Sequence, residues 1–388
     1  MKKSGDGPGP SRIETLAIHA GREPDADTGA LMPAWQPATT YRRGNPAGMS
    51  YIRWDSPNRL QAEAALAALE GGEEAVAFAS GSAASHAMFA SLPAGSEVVA
   101  TEDAYWGTRR QLLELAPHWG IRTRFVDTSN ADAVREAVTE RTSLVWVETP
   151  SNPLLRVSDI GSIADIAHGV GALLACDNTV ATPVLQQPLA LGADVVMHST
   201  TKYLGGHSDL MGGVVVGRAG TFMEAVRTQQ RVAGASPSPF DCWLLMRSLA
   251  TLVVRVRAQA DGAMRLAGVL DARDDVMAVL YPGLPQHPGH GLALRQSRLD
   301  DDGPDGARPL GALLSIRVTG GAERAAAVAA RTRLFQQATS LGGVESLIEH
   351  RAPVEGPDTP TPVDLLRLSV GLEHPDDLAD DLLGALSA

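Results

Sequence analysis

Between residues 75 and 216 the chain repeats one pattern, a short continuous run of apolar residues followed by a mixed stretch of helix length. The runs at 75–79, 97–101, 123–126, 144–148, 173–176, 195–198 and 213–216 show little alternation of polar and apolar positions. Runs of this kind predict strands buried on both faces. The spacers predict helical crossovers, so a largely parallel sheet covered by helices is expected. Upstream, 61–69 reads as an Ala/Leu helix halted by Gly71-Gly72. Residues 1–60 are rich in Gly, Pro and Arg and hold no sustained period, so they are expected to form an extended arm. After Pro239 the pattern changes. Residues 240–264 predict one long helix leading away from the sheet. A turn-rich stretch at 281–291, a polar loop at 300–308 and strands near 313–318 and 365–370 predict a smaller α+β unit. The expected division is an arm (1–60), a large domain (61–255) and a small C-terminal domain (256–388).

Composition narrows the partners. The 388 residues are 44% hydrophobic, enough for a sizeable core, and 33 basic against 45 acidic residues give a net charge of −12. No Lys/Arg cluster stands ready to neutralise a phosphate backbone, so nucleic acid and anionic membrane are not expected partners. Lys2 and Lys3 are followed by Gly, Asp and Pro rather than an apolar stretch, and no segment reaches membrane-spanning length. Cys176 and Cys242 are too few for a disulfide framework and too far apart for a paired-Cys metal motif. A reducing cytoplasm and no metal are expected.

Open α/β sheets bind ligands at the carboxyl ends of their strands, so the residues just after each run carry the chemistry. Ser80-Gly81-Ser82 joins a run to a helix expected over 83–92, where small residues leave backbone N–H groups free for an anion such as a phosphate. By itself this is equally a tight turn. Ser199 and Thr201 precede Lys202 at another run's end, where they can serve the same phosphate. A partly desolvated lysine beside cationic or phosphate-binding groups has its basicity lowered enough to condense with an aldehyde, although a surface lysine is the plainer alternative. Asp177 closes the run 172–176, deep in the sheet's mouth, and a carboxylate there needs a partner. A protonated pyridine nitrogen is one, and a turn cap is another. The first strand–turn–helix unit contains no G-x-G-x-x-G, and no P-loop occurs anywhere, which argues against dinucleotide and nucleotide triphosphate sites.

These residues stand within longer motifs: Glu148-Thr149-Pro150-Ser151-Asn152-Pro153, Asp177-Asn178-Thr179, His198 through His207, Ser340-Leu341-Gly342-Gly343 and Arg367-Leu368-Ser369-Val370-Gly371. With them the chain closely resembles the Cys/Met-metabolism PLP-dependent enzymes, a family that includes cystathionine γ-synthases, cystathionine lyases and methionine γ-lyases. The resemblance implies an aspartate-aminotransferase-like α/β fold (fold type I), with a mostly parallel seven-stranded sheet in the large domain. It also implies pyridoxal 5′-phosphate (PLP) as cofactor. Position by position, it implies Lys202 as the Schiff-base lysine and later proton shuttle, Asp177 at the pyridine nitrogen, and Tyr105 stacked on the ring. Gly81, Ser82, Ser199 and Thr201 are implied at the phosphate. Tyr51 and Arg53 are implied to reach the phosphate of a neighbouring subunit, which makes a homotetramer built from two dimers the expected assembly. Arg367 is implied to clamp the substrate α-carboxylate, with Asn152 near it and near the cofactor, and Thr339, Ser340 and Arg110 about the substrate.

The departures bear on the substrate. Thr339 stands where cystathionine-handling relatives often have Glu. Trp106 replaces a usual Gly after Tyr105, and Trp54 follows Arg53. The run His350-Arg351-Ala352-Pro353-Val354-Glu355 adds a cation and a carboxylate near the pocket. The expected activity is γ-elimination or γ-replacement on an L-amino acid with a leaving group at Cγ. β-Elimination is the alternative within enzymes, and a PLP-binding regulator or inactive homologue is the alternative outside them.

Overall fold

A computed structural model describes residues 12–299, 308–357 and 359–387. The polar loop expected at 300–308 lies outside the described residues except for Arg308. The seven apolar runs form one sheet: β1 (Glu74–Phe78), β2 (Glu97–Thr101), β3 (Arg122–Val126), β4 (Thr142–Glu148), β5 (Leu173–Asp177), β6 (Val195–Ser199) and β7 (Gly213–Gly217), in the order β1-β7-β6-β5-β4-β2-β3. β3, β2, β4, β5 and β6 run parallel, while β7 is antiparallel to both β6 and β1. Apolar clusters cover both faces, which is why the strands read as continuous runs rather than alternating ones. Each fully buried Val or Leu contributes about 1.5–3 kcal/mol.

A second sheet follows, built from β8 (Val276–Leu280), β9 (Leu313–Val318), β10 (Gln336–Gln337), β11 (Leu347–His350) and β12 (Leu365–Ser369), ordered β10-β11-β12-β9-β8. It has its own core. β8, β10 and β11 had no counterpart in the sequence expectation, and all three are short.

Two expectations need correction. The arm is not wholly extended, because Ile13–His19 is a helix that buries Ile13 and Ala17. The long helix expected over 240–264 is two helices, Pro239–Leu249 and Leu252–Asp271. The break has a local cause. The carbonyl of Ser248 accepts from Thr251 N and Oγ1 and from Arg255 Nη2, drawing the backbone out of the α pattern. Within the second helix Leu252, Val253 and Val256 join the first core, while Ala263, Leu266, Ala267 and Leu270 join the second. The domain boundary we propose at 255/256 therefore falls inside a continuous helix, and limited proteolysis there should find no cleavable linker. No helix among the described residues is long and apolar enough to cross a membrane.

Candidate active site

One cavity opens at the carboxyl ends of β2, β4, β5 and β6 and is closed by the segment before β11 and by β12. Its lining includes Gly81, Ser82, Tyr105, Asn152, Asp177, Ser199, Thr201, Lys202, Thr339, Ser340 and Arg367. The strand register accounts for much of this: Glu148 and Asp177, the last residues of β4 and β5, are direct partners, and Asp177 pairs in turn with Met197 of β6.

The helix Gly81–Ala90 begins at this mouth, with Ser80 Oγ accepting from Ala83 N at 3.0 Å. A Cβ at position 81 would lie 2.8 Å from Ser199 Cβ, so only glycine lets the helix N-terminus and the end of β6 converge. The hydroxyls of Ser82 and Ser199 bond to no group among the described residues. Free hydroxyls around a helix N-terminus form a cradle for an anion.

Asp177 is 6% exposed. Thr179 bonds it through both N (3.0 Å) and Oγ1 (2.5 Å), and both bonds go to Oδ1, leaving Oδ2 for a donor in the cavity. Burial raises the Asp177 pKa and the Thr179 bonds restrain the rise. Burial, together with the adjacent Asp177, drives Glu148 well above the usual carboxylate range. Glu148 spends both its oxygens on backbone donors, Oε2 on Tyr105 N (2.7 Å) and Oε1 on Asn152 N (3.0 Å), and so ties two cavity residues to the end of β4.

Lys202 donates from Nζ to Ser340 Oγ at 2.9 Å. Burial first, and then the positive charge of Arg367, lower its pKa to about 8. Ser340 has φ +101°, a strained setting for a residue with a Cβ, and strain of this sort collects at functional sites. The neighbouring Gly342 packs so closely that a Cβ would come within 2.6 Å of Tyr203 N, which pins this segment beside Lys202.

Arg367, 4% exposed, donates from Nη1 to Asn152 Oδ1 (3.1 Å) and from Nη2 to Ser340 O and Glu349 Oε2 (both 2.7 Å). Three bonds of its five leave the Nε and second Nη1 hydrogens for a ligand. Burial lowers its pKa to about 10, so it remains a cation at neutral pH.

One residue expected at the site, Arg110, lies elsewhere, and Tyr51 and Arg53, expected at the site of a neighbouring subunit, stand outside this chain's own cavity. Arg110 pairs with Glu114 one helical turn on, stacks over Trp106 and is half exposed, because its helix turns that face to solvent. Tyr51 and Arg53 are absent from the lining. Tyr51 is 44% exposed, and Arg53 donates to Arg231 O at 2.7 Å, on the helix Thr221–Ala233. Sequence reasoning placed Glu148 at a strand end without a role, and missed Thr179 and Glu349 as partners of the site. A hydroxyl two residues after a buried Asp was a readable signal for Thr179. Nothing local marked Glu349.

The cradle, the weakly basic amine and the carboxylate with an open oxygen suit the phosphate, aldehyde and pyridine nitrogen of PLP, so the residues present fit that cofactor. That fit, on this sheet, defines the class: an enzyme that carries PLP on a lysine. The chain belongs to the Cys/Met metabolism PLP-dependent enzyme family, whose model matches residues 14–387, and its cofactor is PLP. It is 45% identical over 382 residues to cystathionine γ-synthase of Mycobacterium tuberculosis, covering 96% of each chain. Among solved structures it resembles metB from Corynebacterium glutamicum (TM-score 0.93, 40% identity, 98% of this chain and 99% of that one). It also resembles apo CalE6, a methionine γ-lyase from Micromonospora echinospora (TM-score 0.89, 41% identity, 97% and 99%).

Proposed function

We propose that the protein eliminates or replaces the Cγ substituent of an L-amino acid. The observation that carries this is Lys202 Nζ, held with lowered basicity in one cavity with Asp177, Tyr105 and Arg367. PLP, when bound, supplies the electron sink for charge left at the substrate's Cα. Arg367, fixed by Asn152, Ser340 and Glu349, orients the α-carboxylate with its remaining N–H groups. Asp177 Oδ2, left open by Thr179, would accept from the protonated pyridine nitrogen. Freed as a neutral amine by the incoming substrate amine, Lys202 Nζ would take the proton from Cα, hand it on to the cofactor side so as to be neutral again, and then take one from Cβ, whose C–H electron pair expels the γ-substituent. Tyr105, kept in place by Glu148, covers the ring. Gly81, Ser82 and Ser199 would hold the phosphate, and Thr201, whose hydroxyl donates to Gly212 O at 3.2 Å, would join them by exchanging that bond.

Incubation with homoserine esters, cystathionine, methionine and γ-halogenated amino acids, with products read by mass spectrometry, tests the reading. 2-Oxobutyrate or a γ-exchanged amino acid is the expected product. Pyruvate alone would replace the reading with β-elimination, and no product from any of them would favour a non-catalytic role.

The outward position of Tyr51 and Arg53 supports a shared site in which they complete the phosphate cradle of a second copy, in a dimer or a pair of dimers. An equimolar mixture of Lys202→Ala and Arg53→Ala proteins, unfolded and refolded together, should regain roughly a quarter of wild-type activity, since half of randomly formed dimers hold one intact site of two. No gain over the separate variants would mean each chain builds its site alone.

A further inference from the structure

Building on the γ-substituent reading, we propose that Arg351 selects substrates whose Cγ substituent ends in an anion, such as a carboxylate, over those ending in an ammonium group. Arg351 follows β11, is 2% exposed, and lines the cavity beside Thr339, Ser340 and Arg367. Its terminal nitrogens are held by carboxylates that are not part of the cavity lining: Nη1 meets Glu349 at 2.6 Å, and Nη2 meets Glu355. Its Nε is buried without a partner. A buried donor left unpaired is costly and calls for an acceptor.

Along this wall the cations border the cavity while their counter-charges stand outside it. The carboxylates that do line the cavity, Asp177 and Glu148, end the strands of the large sheet, where Asp177 serves the cofactor and Glu148 is spent on two backbone N–H groups. Arg367 is taken by the α-carboxylate of any amino acid. Arg351 is then the charge left for the far end of the side chain, and Thr339 next to it adds a hydroxyl and no charge. The row Arg367, Glu349, Arg351, Glu355 sums to zero, so its pull on a ligand is short-ranged. Discrimination therefore requires contact and disappears for substituents too short to reach the wall.

Three unreactive-length probes of one size separate the possibilities: L-2-aminoadipate, L-norleucine and L-lysine, which end in a carboxylate, a methyl and an ammonium. Each is titrated into the holoenzyme, with binding followed by the absorption band of the bound cofactor. We expect L-2-aminoadipate to bind about 10-fold or more tighter than L-norleucine, the factor of one charge-assisted hydrogen bond, with L-lysine the weakest. In the Arg351→Gln/Glu355→Gln double variant, which removes one charge of each sign and leaves Glu349 paired with Arg367, the ratio should fall to about 2-fold or less. Arg351→Lys keeps the charge but loses the planar fork, and should lower the ratio by at least about 3-fold. It decides the matter if the double variant does not fold. Equal binding of the three probes by the wild type, or an unchanged ratio in these variants, overturns the assignment. Because the titration needs no turnover, this preference can fail while 2-oxobutyrate still forms, and can hold where it does not.

Discussion

Lys202→Ala protein is expected to lose turnover by about 10⁴-fold or more, the scale seen when the covalent group of an active site is removed. Borohydride treatment should label wild-type protein at Lys202 and leave the variant unlabelled. The amine's environment adds a second signature. Its basicity is lowered to about 8, by burial first and then by Arg367, and only the neutral amine attacks an aldehyde. In protein stripped of cofactor, capture of added PLP should therefore speed up with rising pH through a midpoint near 8 and slow about tenfold for each unit below it. A midpoint above 10 would mean that Lys202 is solvated like a surface lysine. Retained turnover in the Ala variant would remove Lys202 from the mechanism altogether.

The second large effect falls on Asp177. Asp177→Asn keeps the shape and can still accept from Thr179, but it loses the charge that holds a proton on the pyridine nitrogen. Removing one member of a buried ion pair costs about 3–5 kcal/mol, so turnover should fall by about 10²–10⁴-fold, together with weaker cofactor binding. Stability should move the other way. Burial already disfavours the Asp177 charge, so the cofactor-free variant should melt no lower than cofactor-free wild type. A variant that loses activity only because it unfolds at a lower temperature would assign Asp177 a structural role.

Much of the large sheet was legible because its signal is local. Runs such as 144–148 and 195–198 are apolar throughout when both faces of a strand are covered, and their ends differ from the observed β4 and β6 by a residue or two. The C-terminal unit was less legible. β11 is four residues long; its Glu349 accepts from Arg367 of β12, and Arg351, the residue after it, pairs with Glu349 and with Glu355 of the short helix Ala352–Glu355. The helix break at Ala250–Thr251 was hidden because it depends on which side chain reaches the Ser248 carbonyl, and an apolar period does not record that.

At the site the same division holds. The cofactor was legible in the sequence through the family motifs, and Ser80-Gly81-Ser82, Asp177 and Ser199 through Lys202, which we propose hold it, stand at or just after strand ends that a largely parallel sheet brings together. Only the tertiary structure decided the substrate wall. Lys202 meets Ser340 across 138 residues and Arg367 meets Asn152 across 215, and Arg351 stands over the cavity with its carboxylates outside the lining. Those contacts come from packing the small sheet against the large one. The same packing raised Arg351 from an altered position in a motif to a charge lining the cavity.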